Sequence, residues 1–106
     1  MYIRYIAGVL TWILLVAPLA SQASDVLMKR HNCFACHQMS KRLMGPSFQS
    51  IASRYKGQEN ARQILAGKIK AGGRGVWGQI PMPASTNLSN QDLDAMAVWI
   101  LEQVKQ

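Results

Sequence analysis

The chain has 106 residues, enough for one small domain, and its 12 Lys and Arg against 5 Asp and Glu give a formal charge of +7. The positive charges are scattered, with no run of five of one sign, which argues against a nucleic-acid-binding tail. A basic domain of this kind can still draw an acidic or anionic partner through its overall field.

The first 23 residues, "MYIRYIAGVLTWILLVAPLASQA", stand apart from the rest. Arg4 near the start, an apolar run from Ile6 to Val16, Pro18, and small Ser21 and Ala23 at the −3 and −1 positions follow the order of a secretory signal peptide. The competing reading is a retained membrane anchor. The stretch Tyr5 to Ala20 holds only 16 residues, Pro18 falls inside it, and spanning takes ~20 apolar residues. The expectation is export to the periplasm with cleavage after about Ala23. Residues 24–106 then form the single mature domain, 83 residues with eleven basic and five acidic side chains, a formal +6. A domain this small buries only ~60–65% of its unfolded surface and often needs a staple or cofactor.

Along the mature chain, Ser24 is placed to cap a short helix through "DVLMKRHN", with Asp25 in its first turn. "MGPSF" breaks the chain. Pro46 then suits the first position of a helix through "PSFQSIASRY", where Phe48, Ile51, Ala52 and Tyr55 follow i, i+3, i+4, i+7 spacing. A third helix fits "ENARQILAGKIKA", with Ile64, Leu65 and Ile69 apolar, and stops at Gly72-Gly73. Residues 72–87, "GGRGVWGQIPMPASTN", read as a long loop, and loops of this length in compact domains are usually functional or disordered. The residues Val76, Trp77, Ile80 and Met82, of kinds usually buried, argue against disorder. Ser89 with Asp92 three residues on opens a final helix, Leu88 can staple against Leu93, and Leu93, Ala97, Ile100 and Val104 form its apolar stripe. No strand pattern occurs, so the fold class is all-α, with about four helices.

The two cysteines lie in "NCFACHQMSKRLMGPSF", with Cys33 and Cys36 followed directly by His37. A thioredoxin-like pair needs a strand–helix setting that this chain lacks. A structural zinc needs four ligands, and His31 with His37 would crowd all four into seven residues. A plain disulfide leaves the histidine unexplained. Covalent haem c uses every residue: each thiol joins a vinyl group as a thioether, and His37 is held beneath the iron as an axial ligand.

A filled sixth position favours electron transfer, whereas an open one favours gas binding or peroxidase work. Met28, His31 and Met39 lie too near the attachment segment to reach the opposite face. Met44, seven residues beyond His37, is less clearly excluded, and Met96 falls near the stripe of the final helix, where methionine is usually core. Met82 lies between Pro81 and Pro83 in the long loop, 45 residues beyond His37. The prolines fix φ and stiffen the segment, so a sulfur there is held as the iron changes charge. Met82 is the expected sixth ligand.

With those residues in place, the mature chain from about Val26 to Val104 resembles the small bacterial class I cytochromes c, most closely the cytochrome c-551 family. "CFACH", "MGPSF", "GGRGVWGQIPMP" and "AVWILEQ" stand in that family's order and spacing. The resemblance implies a small cytochrome c fold around one haem c, carried by Cys33 and Cys36, with His37 and Met82 as axial ligands. It implies that the Pro46 carbonyl orients the His37 imidazole and that the Trp77 indole N–H reaches a propionate. Two positions depart from the commonest pattern. Lys68 stands where an arginine often contacts a propionate, and a lysine offers a point charge in place of a bidentate fork. Ala84-Ser85 replaces a more usual Pro-Asn beside the sulfur.

These features point to a soluble, monomeric, periplasmic one-electron carrier rather than an enzyme. The resemblance implies larger redox complexes as partners, such as a cytochrome bc1 complex as donor and a terminal oxidase or nitrite reductase as acceptor. Lys29, Arg30, Lys41 and Arg42 flank the attachment segment and are the candidates to steer an acidic docking surface. The alternative is a haem-based peroxidase or gas sensor in which Met82 is labile.

Overall fold

The computed structural model describes residues 12–14 and 20–104. In chain order these form α1 (Ala20–Arg30), a 3-10 turn over Cys33–Ala35, α2 (Phe48–Tyr55), α3 (Ala61–Ala71) and α4 (Asn90–Leu101). The described residues contain no strand; one isolated antiparallel bridge joins Gly73 and Met82. The fold is that of an all-α protein. Most of the expected signal peptide lies outside the described residues, and the expected cleavage point after Ala23 falls within α1. Among the described residues no helix is long and apolar enough to cross a membrane.

Helix α4 organises the core. Its residues Leu93, Met96, Ala97, Trp99 and Ile100 are all buried, on more than one face, and it packs against α1, α2 and α3 in turn. A helix that is apolar around most of its circumference is stable only when covered on several sides. The helix ends at Leu101, so Val104 lies beyond it. Ser89 starts it as expected: its Oγ accepts from the Asp92 N–H at 3.1 Å, while Leu88 packs at the edge of the core in which Leu93 is buried. Met96 has no exposed surface at all, the position of a core residue.

Helix α2 buries the whole predicted stripe of Phe48, Ile51, Ala52 and Tyr55. Its start differs from the expectation. Pro46 precedes the helix, and Ser47 is the cap, with its Oγ accepting from the Ser50 N–H at 3.1 Å. A hydroxyl can satisfy an otherwise orphaned N–H of the first turn, which a proline ring cannot. This leaves the Pro46 carbonyl free of the helix, with consequences for His37 described below.

The first helix also differs. Its described part runs from Ala20, so Ser24 lies inside the helix and not at its cap. Asp25 pairs instead with Lys29 one turn on, at 2.9 Å. The helix stops before the cysteines, where Asn32 takes a left-handed conformation (φ 58°) and turns the chain into the Cys33–Ala35 segment.

Helix α3 ends at Gly72 as expected, with Leu65 and Ile69 buried and Ile64 at the margin. Gly72 has φ 64°, and a Cβ there would run into the Met82 carbonyl and the Ala84 N–H. Only glycine lets the returning loop lie against the helix end.

Candidate functional site

The Cys33–His37 segment is a single tight coil. The Cys33 carbonyl accepts from the N–H groups of both Cys36 (3.3 Å) and His37 (3.0 Å). Both thiols are free and half-buried. Burial pushes the Cys33 thiol above its ordinary pKa; the neighbouring Cys36 adds to the rise, and a backbone hydrogen bond opposes it. Among the described residues no three His, Cys, Asp or Glu side chains converge, so the zinc alternative has no ligand set.

The imidazole of His37 is fixed on three sides. Its Nδ1 lies 2.7 Å from the Pro46 carbonyl oxygen. A carbonyl can only accept, so in the neutral ring Nδ1 carries the proton and Nε2 keeps its lone pair, the state required of a metal ligand. The ring packs beside Phe48 at 5.3 Å between centroids. Phe48 in turn meets Phe34 and Trp99 edge-on, at 5.4 and 5.0 Å. Gly45 closes the third side, since a Cβ there would stand 2.5 Å from Cε1 of the ring and 2.9 Å from Nδ1.

Backbone bonds set this geometry. Gly45 N–H donates to the Cys36 carbonyl at 2.8 Å, and Phe48 N–H to the Gln38 carbonyl at 2.9 Å. The 38–47 loop therefore returns to the coil that it left. Ser47, 3% exposed, caps α2 one residue after the carbonyl that meets His37. Capping and imidazole orientation thus share one stretch of backbone.

The expected sixth ligand, Met82, lies in the 72–87 loop. Gly73 and Met82 exchange backbone hydrogen bonds of 2.9 and 2.8 Å, which closes a hairpin-like excursion, and Gly75 N–H donates to the Gly78 carbonyl at 2.7 Å within it. Ser85 N–H donates back to the Ile69 carbonyl at 3.1 Å. The loop is ordered mainly by these bonds: Val76 and Ile80, of kinds usually buried, are 44% and 58% exposed. Trp77 and Met82 are half-buried and pack at the edge of the core.

The methionines sort by burial. Met28 and Met96 are sealed in the core at 1% and 0% exposure, while Met39 and Met44 sit on the surface. Met82 is the one held at a core edge by a paired loop. Lys68 lies exposed in the last turn of α3. Two cations expected to steer partners have other engagements. Lys29 pairs with Asp25, and Arg42 Nη2 donates to the Trp77 carbonyl at 2.6 Å. Arg54 of α2 lies over the Trp77 ring, 5.1 Å from its centroid. No sequence pattern pointed to either arginine contact, because both join residues far apart in the chain.

The donor set fits a covalent haem: two free thiols on one coil, an imidazole with Nε2 left unprotonated, and a stiff loop bearing a thioether. The Cytochrome c family model matches residues 22–103. The chain is similar to cytochrome c-552 of Nitrosomonas europaea, 50% identical over 88 residues that cover 83% of this chain and 84% of that protein. It is similar to cytochrome c-551 of Allochromatium vinosum, 38% identical over 81% of this chain and 90% of that one. The crystal structure of wild-type Nitrosomonas europaea cytochrome c552 superposes with a TM-score of 0.72, at 48% identity, covering 74% of this chain and 98% of that chain.

Proposed function

Since the chain belongs to the cytochrome c family, as a small class I member carrying haem c through Cys33 and Cys36, we propose that it is a periplasmic electron carrier with His37 and Met82 as axial ligands. When bound, the haem supplies an iron that takes up and gives back one electron. The protein's part is to hold both ligands still while that charge changes.

The observation that carries this reading is the 2.7 Å contact between His37 Nδ1 and the Pro46 carbonyl. It fixes the tautomer and the ring plane, and it leaves the Nε2 lone pair available to a metal. On the other side, Met82 is held by paired bonds to Gly73 and flanked by Pro81 and Pro83. A thioether opposite an imidazole favours the reduced state relative to a second histidine. A sixth position filled in this way leaves no place for substrate, which supports a carrier rather than an enzyme.

Trp77 directs its indole to a propionate in this proposal, and Lys68 adds a single cation at the exposed end of α3. Ionised propionates would reduce the mature +6 to +4, still cationic. A cationic carrier gains encounter rate with an acidic partner through long-range attraction. Lys41, Arg30 and Arg42 are the steering residues: Lys29 is paired with Asp25, whereas the bond from Arg42 to a neutral carbonyl leaves its charge intact.

The test is carbon monoxide added to the reduced holoprotein. The proposal expects an unchanged spectrum at neutral pH, with binding appearing in Met82→Ala. Ready binding by the wild type would contradict a filled sixth position and support the gas-binding alternative.

A further inference from the structure

Two segments carry the proposed ligands, residues 31–47 with His37 and residues 72–88 with Met82. Among the described residues one hydrogen bond joins them, from Arg42 Nη2 to the Trp77 carbonyl at 2.6 Å. Its acceptor lies at the tip of the excursion that the Gly73–Met82 pair closes at its base. The neighbouring Gly78 lets the guanidinium approach, since a Cβ there would be 3.3 Å from the same nitrogen. Arg54 engages the other side of the same residue, over the indole at 5.1 Å. Trp77 is thus held by its backbone to the haem-attachment segment and by its ring to α2.

We propose that Arg42 is a latch that keeps the Met82 loop closed against the His37 segment, with Arg54 as its brace, so that both are positioning residues for the sixth ligand. The inference rests on the reading that Met82 ligates the iron. The excursion is fastened at its base by two backbone bonds, but at its tip only by these arginines and the partial burial of Trp77. A charge-assisted bond to a carbonyl is stronger than a neutral one. With it removed, the tip can lift, and the strain passes along five residues to Met82. A cation whose only work was to steer partners would have no effect on how tightly the sulfur is held.

The test is the rate at which the ferric holoprotein captures imidazole, a neutral ligand whose approach does not depend on surface charge. Capture requires the sulfur to leave, so its limiting rate reports loop opening. Arg42→Gln is expected to raise that rate roughly tenfold, the scale of one lost charge-assisted hydrogen bond. Arg54→Gln should raise it less, and Arg42→Lys, which keeps one donor, should fall between wild type and Arg42→Gln. Lys56→Gln, a change to an exposed cation near Arg54, should leave it at the wild-type value. The ferric iron–sulfur charge-transfer band should persist in every variant, because the latch slows opening and does not supply the ligand. Equal rates in wild type, Arg42→Gln and Lys56→Gln overturn the latch while leaving Met82 ligation intact. A wild type that captures imidazole as fast as Met82→Ala instead overturns the ligation reading itself.

Discussion

Gly45 presses against the imidazole of His37 so closely that a single added carbon would stand 2.5 Å from its Cε1. The ring cannot yield toward Phe48, which packs beside it at 5.3 Å and is itself wedged by Phe34 and Trp99. Gly45→Ala is therefore expected to break the Nδ1 contact with Pro46 or tilt the ring. Overpacking of this kind destabilises by about 1–3 kcal/mol. Denaturant unfolding of the holoprotein checks the loss, and a lowered yield of haem-loaded protein should accompany it. Unchanged stability and yield would show that the ring has room that the geometry denies it.

Ser47 links the fold to the site by capping α2 directly after the carbonyl that meets His37. Ser47→Ala should lower stability by about 1 kcal/mol through the lost cap, which for a domain of this size shifts Tm by roughly 4–8 °C. Ser47→Asp keeps an acceptor and should recover part of the loss, less the penalty of a buried carboxylate. Thermal unfolding of both variants decides.

Much of the fold was legible because it depends on local periodicity. The α2 stripe from Phe48 to Tyr55, the Ser89 cap and the Gly72 stop each follow from residues within one or two turns. The start of α2 lies two residues beyond the expected Pro46, because Pro46 and Ser47 both suit a helix start and the Ser47 hydroxyl takes the cap. Cys33, Cys36 and His37 were legible as a set because their chemistry requires adjacent positions. The links of Trp77 to Arg42 and Arg54 were not, since separations of 35 and 23 residues leave no trace in local pattern. The exposure of Val76 and Ile80 was equally hidden, because backbone bonds and not side-chain burial order that loop.

Met96 separates packing from ligation. It is fully buried on α4, so Met96→Ala should destabilise by about 2–5 kcal/mol. Met96→Leu, which conserves volume, should cost less than about 1.5 kcal/mol. Neither change should move the reduction potential much, whereas Met82→His should lower it by something on the order of 0.1–0.3 V, within the ~0.8 V that axial ligands span. Redox titration of the three variants checks both halves.

Partner encounter should depend on salt. The reduction rate by a physiological donor should fall as the Debye length shrinks from ~10 Å at 0.1 M to ~3 Å at 1 M. Lys41→Gln should lower the rate at low salt and flatten its dependence. A rate that is flat in salt, or rises with it, would remove electrostatic steering and leave docking to exposed apolar residues such as Leu43 and Ile80.

The central claim, that Met82 opposes His37 on the iron, is tested most directly by proton NMR of the reduced holoprotein. A methionine methyl held over the porphyrin face is shifted far upfield by the ring current, as a single three-proton line. That line should be present in wild type, Met44→Leu and Met96→Leu, and absent only in Met82→Leu. A line that survives in Met82→Leu and vanishes in Met44→Leu would contradict the assignment and move the ligand to the exposed residue beside Gly45.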